Sequence, residues 1–302
     1  MRPLQGILTA LITPFDGDSV DVPALRRLVR AQVAAGIHGL VACGTTGETP
    51  TLTADECDLV LKTVMEEVAG RIPVLAGTGT NATRTTVDRT RRAAALGADA
   101  ALVVTPYYNK PQQEGMVEHF RAVAREGGIP LVLYTVPGRT GVNLLPETVV
   151  RLSAVPGILG IKEASGSVAA VRTIVDGAAP GFVVLSGDDR LALPSFAVGA
   201  RGVISVASNV VPARMVELWD SWESGDTARA ARIDRDLGPL YSALFLESSP
   251  APVKAAARML GICAPSVRPP LAVASPATVA SLELALRRAG GLPEDVRPAG
   301  RG

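Results

Sequence analysis

Gly157-Ile-Leu-Gly-Ile-Lys-Glu-Ala-Ser-Gly166 is a short apolar run with a lysine near its end. Bounded by Pro156-Gly157 and Ser165-Gly166, it has the length and flanks of a strand buried on both faces, where an ammonium is destabilising unless paired or deprotonated. Burial favours the neutral amine, and a neutral amine is a nucleophile towards carbonyl compounds. The competing reading is a strand-end lysine that reaches solvent or pairs with Glu163, and for an isolated lysine it would prevail. The decision rests on what surrounds the run.

Eight such runs recur along the chain, beginning near Gly6 (GILTALITP), Gly39 (GLVACGT), Pro73 (PVLAGTG), Ala100 (AALVVTP), Pro130 (PLVLYTVP), Gly157 (GILGIKEAS), Phe182 (FVVLSGDD) and Gly202 (GVISVAS). Helical patterns separate them at Val22–Ala35, Thr53–Ala69, Ala82–Ala95, Gln113–Glu126, Pro146–Ser153, Val168–Asp176 and Leu191–Val198, the second with a capping box in Thr53-Ala-Asp-Glu56. Eight strand–helix units predict an α/β fold, a (β/α)8 TIM barrel over residues 1–225, better than a doubly wound sheet. After a helix at Val210–Glu223 and a break at Ser224-Gly-Asp226, only helices follow, at Thr227–Leu246, Pro252–Leu260 and Pro276–Ala289. Residues 226–302 thus read as a C-terminal helical extension, ending in a charged Gly/Pro-rich tail, Gly290–Gly302, expected to fray.

The bulk properties narrow the function. With 302 residues and 47% hydrophobic content the chain is long enough for one large barrel. Thirty Lys+Arg against 29 Asp+Glu leave a net charge of +1, so no global field recruits nucleic acid or an anionic membrane. Cys43, Cys57 and Cys263 are odd in number and widely spaced, against a disulfide framework or a zinc cluster. The first residues read as a strand and not a signal peptide, and no apolar run approaches the ~20 residues of a membrane span. A cytoplasmic protein is the expectation.

Catalytic groups of such barrels sit at the C-terminal ends of the strands. There the second strand delivers Gly44-Thr-Thr-Gly-Glu48, the fourth Pro106-Tyr-Tyr-Asn109, the fifth Tyr134 and Pro137-Gly-Arg139, the sixth Lys162, and the seventh Gly187-Asp-Asp189. Lys162 as imine-forming nucleophile, Tyr134 as a hydroxyl acid/base on the adjacent strand and threonine hydroxyls for a carboxylate make a constellation for carbonyl chemistry. The two histidines are misplaced for metal-dependent or histidine-based chemistry, His38 lying just before a strand and His119 within a helix. Asp188 and Asp189 would repel a phosphate, so an unphosphorylated substrate is expected. The Gly77-Thr-Gly-Thr80 turn lacks a dinucleotide-binding spacing and reads as backbone geometry.

Nearly the whole chain, through GILTALITPF, GTTGE, AGTGTNAT, TPYYNKP, YTVPGRTG, IKEASG, SGDD and LFLESSPAPVKAA, resembles the dihydrodipicolinate synthase branch of the N-acetylneuraminate lyase superfamily of pyruvate-dependent class I aldolases. GTTGE, the tyrosine and the lysine belong to the superfamily, whereas PYYNKP and the arginine of VPGRTG point to the synthase branch. Thr135 and Gly138 stand where Asn and Ser are common, and Ser208 where Ala is common. The resemblance implies a Schiff base between Lys162 and pyruvate, with no other cofactor and no metal. Tyr134 would be the proton carrier, with Thr45 and Tyr108 completing its relay. Thr46 and main chain at Ile204 would bind the pyruvate carboxylate, with Gly187 also on the substrate side. Arg139 would bind the carboxylate of aspartate 4-semialdehyde, on the route to diaminopimelate and lysine. Tyr108 would reach a neighbouring subunit's site, implying a homotetramer built as a dimer of dimers. Two alternatives are a pyruvate-dependent lyase for a sugar acid or other 2-oxo acid, which has less use for Arg139, and a silent barrel, which has no need of lysine, tyrosine and threonine together.

Overall fold

Why Lys162 faces inward is a matter of strand parity, and the barrel supplies it. The computed structural model of the chain describes residues 3–292. Eight parallel strands close on themselves: β1 Gly6–Ala10, β2 Gly39–Ala42, β3 Val74–Gly77, β4 Ala100–Val104, β5 Leu131–Thr135, β6 Ile158–Glu163, β7 Val183–Ser186 and β8 Gly202–Ser205. Closure comes from β1, which pairs with β8 at Leu8–Ile204 and with β2 at Leu8–Gly39. Between and after the strands run α1 Val22–Ala34, α2 Ala54–Val68, α3 Thr83–Ala95, α4 Gln113–Glu126, α5 Pro146–Ser153, α6 Val168–Gly177, α7 Ala192–Ala197 and α8 Pro212–Glu223. All eight strands and the helices between them fall where the apolar runs predict.

Side chains alternate across each strand, so both faces must be apolar when helices cover the outside. Leu8, Val41, Leu75, Leu102, Val132, Leu185 and Ile204 fill the barrel interior. Their neighbours Ile7, Leu40, Val74, Val103, Leu133, Ile161 and Val203 pack against the helices. Each buried aliphatic side chain contributes about 1.5–3 kcal/mol relative to exposure.

In β6 the alternation is reset. Leu131 pairs with Ile158, but the next pair is Val132–Gly160, so Leu159 is one extra residue opposite none. Before this bulge Ile158 faces the helices; after it Ile161 does, three positions on. Lys162 therefore shares the interior face with its register partner Tyr134, and Glu163 faces out, where Oε1 accepts a hydrogen bond from Ser165 N at 3.0 Å.

α2 starts with the expected capping box: Glu56 N donates to Thr53 Oγ1 at 3.2 Å and Thr53 N to Glu56 Oε2 at 2.9 Å. After the barrel come α9 Thr227–Ala243, α10 Ala251–Met259 and α11 Pro276–Arg288, with α9 packed between α8 and α11. The tail begins in order: Gly290 N donates to Arg287 O and Gly291 N to Leu286 O, a Schellman closure of α11 with Gly290 at φ 75°. The rest of the tail, 293–302, lies outside the described residues. A feature without a sequence expectation is the hairpin of Phe15–Asp16 with Ser19–Val20, turned at Gly17.

Phe15 leads to the contact that joins the two parts of the chain. Glu48, at the end of the GTTGE loop, pairs with Lys254 of α10 at 2.5 Å, both side chains wholly buried. Lys254 Nζ also donates to Ser266 O at 2.8 Å and lies 4.0 Å from the centroid of the Phe15 ring. Glu48 Oε2 accepts from Arg268 N at 3.0 Å, and the Arg268 guanidinium reaches Glu56, whose carboxyl it holds down at about 2. Burial lowers the Lys254 pKa and Glu48 opposes that shift. Removing one member of such a pair strands the other charge, which costs about 3–5 kcal/mol. Glu48→Gln should therefore lower the unfolding free energy by roughly that amount in a denaturant titration with unchanged slope; a change under ~1 kcal/mol would show that the pair is dispensable.

Candidate active site

The C-terminal ends of the strands surround a cavity of about 540 Å³ whose walls include Gly44, Thr45, Tyr107, Tyr108, Tyr134 and Arg139. Tyr134 lines this space and also meets Lys162, whose ammonium lies 4.5 Å from the centroid of the tyrosine ring. Lys162 is 6% exposed and makes no hydrogen bond or ion pair among the described residues. Neither form of the competing reading holds: the lysine does not reach solvent, and it does not pair with Glu163, because the two side chains leave the strand on opposite faces. What remains is an amine in an apolar setting with a weakly attractive aromatic face beside it. Gly187, on β7's end, makes the space: a Cβ there would lie 3.0 Å from Lys162 Cε and 2.5 Å from Ala164 Cβ.

The threonine turn is held from several sides. Cys43 closes β2 in the left-handed region at φ 54°, and Glu48 repeats that conformation at φ 58°. Between them Thr45–Gly47 form one 3-10 turn. Thr49 Oγ1 donates to the carbonyls of Cys43 and Gly44, the latter at 2.9 Å, and Thr13 Oγ1 to Gly47 O at 2.7 Å. Gly77 permits the approach of β3, since a Cβ there would sit 2.1 Å from Cys43 O. Thr46 is buried, and among the described residues the hydroxyls of Thr45, Thr46 and Tyr134 have no hydrogen-bond partner, so all three are available to a ligand.

Arg139 lies at the rim on the short turn Pro137–Thr140 and donates from Nη2 to Ser249 O at 3.4 Å, a carbonyl of the C-terminal extension. Tyr108 has a left-handed φ of 73° and is 86% exposed, so within one chain it forms no relay with Tyr134. Ile204 fills the interior on β8, and the turn after it is fixed by Asp189, whose Oδ2 accepts from Val206 N at 3.0 Å and Ala207 N at 2.9 Å. Thr46, Lys162, Gly187 and Ile204 do not line the open cavity.

One expectation is corrected. Asp188 and Asp189 follow β7 but do not present negative charge to the cavity: Asp188 pairs with Arg190 at 3.1 Å, and Asp189 is buried as the acceptor just described. Their charge therefore carries no argument about phosphate. The histidines are placed as expected. His38 Nδ1 accepts from Ile7 N at the opposite end of the barrel, and His119, pushed down to about 4 by burial, is enclosed in α4. Among the described residues no group of three or more His, Cys, Asp and Glu side chains is placed to hold a metal, and no helix is long and apolar enough to cross a membrane. The roles of Thr49, Asp189 and Asn209 were missed. Asn209 joins the ends of β1 and β8 through Ala10 O and Ile12 N, and only a short polar side chain beside a strand end signals it.

Residues 3–289 match the model of the dihydrodipicolinate synthetase family. The chain is 50% identical to a 4-hydroxy-tetrahydrodipicolinate synthase of Thermomicrobium roseum over 94% of each chain. Its fold superposes on the dihydrodipicolinate synthase of Thermotoga maritima with a TM-score of 0.94 at 42% identity, covering 95% of this chain and 99% of that one. It superposes equally, at 0.94 and 40% identity over 96% and 100%, on the chloride-inhibited enzyme of Acinetobacter baumannii complexed with pyruvate. A family match over nearly the full length, with relatives at this identity, shows that the chain belongs to the dihydrodipicolinate synthetase family.

Proposed function

We propose that the chain acts as a 4-hydroxy-tetrahydrodipicolinate synthase, a lyase of the class I aldolase type that condenses pyruvate with aspartate 4-semialdehyde. The observation that carries this reading is Lys162, a nearly buried amine with no counter-charge among the described residues, lying against Tyr134, which lines a cavity shared with Arg139. Relatives carrying that activity in their names, and the pyruvate complex of one of them, support the substrate class.

The chemistry follows from the groups. The Lys162 amine adds to the keto carbon of pyruvate and water leaves, giving an imine whose positive charge favours loss of a methyl proton. The resulting enamine carbon attacks the aldehyde carbon of the semialdehyde, whose oxygen takes a proton to become a hydroxyl. Attack of the semialdehyde's amine on the imine carbon closes the ring and releases the Lys162 amine. Tyr134 carries the protons between these steps, which the placement of its ring against the lysine allows. Thr45 and a Tyr108 supplied by a neighbouring copy complete the relay, so the reading includes a homotetramer arranged as a dimer of dimers. Thr46 and the backbone at Ile204 hold the pyruvate carboxylate, Gly187 leaves space for the imine, and Arg139 holds the second carboxylate as a bidentate partner. No cofactor beyond the lysine imine is required. The division into a catalytic barrel, 1–225, and a helical extension, 226–302, belongs to the same reading, with the extension supporting the rim through Lys254 and Ser249.

Borohydride reduction with pyruvate should leave a stable adduct on Lys162, read by peptide mass mapping, and Lys162→Ala should lose both adduct and turnover; an adduct on Lys62, Lys110 or Lys254 would remove the central claim. Arg139→Ala should trap pyruvate as well as the parent protein does while kcat/KM for the semialdehyde falls roughly 30- to 700-fold, the equivalent of ~2–4 kcal/mol. Equal losses in both assays would place Arg139 elsewhere in the reaction. Mixed tetramers of Lys162→Ala and Tyr108→Phe subunits should regain activity that neither parent has, and demonstrated exchange without rescue would mean a site complete within one chain.

A further inference from the structure

We propose that Cys43 and Cys57 form a peroxide-oxidisable thiol pair, and that closing them into a disulfide loosens the turn that carries Thr45 and Thr46. The inference goes beyond the condensation reading and does not depend on it. Cys43 ends β2, and Cys57 lies in the first turns of α2, where the Cys43 sulfur approaches to 3.5 Å from the Cys57 carbonyl oxygen. Both residues line one small cavity of about 40 Å³, together with Arg89 and Arg92. That is about three times the space one water requires, enough for hydrogen peroxide.

The pair is asymmetric in the way a reactive and a resolving cysteine need to be. The neighbouring Cys43 side chain holds the Cys57 thiol below its ordinary range, with the Arg89 charge adding to the effect. The same neighbour and burial push Cys43 well up. Cys57 is also the more accessible of the two. Thiolate character and access together decide which cysteine a peroxide attacks. Cys263 is a built-in contrast, pushed up to about 11 by burial.

The steps balance with hydrogen peroxide as the oxidant. The Cys57 thiolate attacks one peroxide oxygen, the O–O bond breaks, and the departing hydroxide takes a proton to become water. The Cys43 sulfur then attacks the Cys57 sulfenic acid at sulfur. The S–O bond breaks, the thiol proton of Cys43 leaves with the hydroxide as a second water, and the S–S bond forms. Two thiols lose two electrons and two protons, and one peroxide becomes two waters.

A disulfide needs its sulfurs about 2.05 Å apart with a fixed dihedral, and closing to that geometry loads both residues. Cys43 is the constrained partner. Its left-handed backbone precedes Gly44 and Thr45 directly, its carbonyl receives Thr49 Oγ1, and β3 packs on that carbonyl at Gly77. Drawing it towards α2 pulls on the turn rather than on a free loop.

The test uses the full-length protein exposed to a molar excess of hydrogen peroxide, quenched with catalase, alkylated, digested without reduction and mapped by mass. The expected result is a cross-linked peptide pair joining Cys43 to Cys57, reversed by dithiothreitol, with Cys263 still alkylated. Amides of residues 44–48 should exchange with deuterium roughly tenfold faster in the oxidised protein. Cys57→Ser should abolish the cross-link and keep the exchange slow under peroxide, whereas Cys263→Ser should change neither. Conversion of Cys57 to sulfinic acid with Cys43 still free, or all three thiols surviving, would overturn the pairing. A Cys43–Cys57 cross-link with unchanged exchange at 44–48 would overturn its effect on the turn. None of these readouts uses catalysis, so they separate this inference from the fate of the condensation reading.

Discussion

The fully buried ion pair between Glu48 and Lys254 is the contact on which the shape of the barrel mouth depends. Two unit charges out of water are stable only when their geometry is good and their remaining valences are satisfied. Ser266 O and the Phe15 ring face the ammonium and Arg268 N donates to Glu48 Oε2, while Glu48 Oε1 is held by the ion pair alone. The pair spans from the loop after β2 to α10, so the helical extension is a buttress of the mouth and not an appendage. It also explains how a turn with non-glycine residues in the left-handed region at both ends can persist. Such conformations are held at about 1–3 kcal/mol each, and they survive where the surroundings leave no alternative. Thr49, Gly77 and Lys254 remove the alternatives here.

With the mouth fixed, the character of the interior lysine follows from what is kept away from it. Its carboxylate neighbour in sequence points to the helices, and the two aspartates after β7 are engaged with Arg190 and with backbone amides. The face of a tyrosine is a much weaker partner than a carboxylate, and it leaves the nitrogen lone pair unclaimed whenever the proton is absent. Among the described residues the lysine therefore has no counter-charge, and the arginine and threonines that could hold anions stand at the rim and on the turn.

Much of this was legible in the order of residues. A strand covered on both faces must be apolar throughout, so β1 to β8 stand out as runs between Gly and Pro, and a lysine in one of them is conspicuous. The capping box at Thr53 and the barrel-bottom position of His38 were readable for similarly local reasons. Other features were not. The Phe15 hairpin has strands of two residues, too short for a period to show. Glu48 and Lys254 are partners across most of the chain, and nothing near either residue names the other. Asp188 and Asp189 were countable as charges, but where a carboxylate points is set by the amides that come to meet it. The exposed Tyr108 has a function that a single chain does not complete under the proposed assembly.

The extra residue in β6 has a consequence for how this strand can vary in length. The bulge absorbs the odd residue: with Leu159 removed, Gly160 would still meet Val132 and Lys162 would still meet Tyr134, in plain alternation from Ile158 onward, so the lysine would stay on the inward face. Between Gly160 and Lys162 there is no such slack. A one-codon deletion there would bring Glu163 opposite Tyr134, a carboxylate where the amine now stands, with no substitution anywhere. The length tolerance of this strand is thus concentrated at Leu159, one turn of the pleat away from the residue that cannot move.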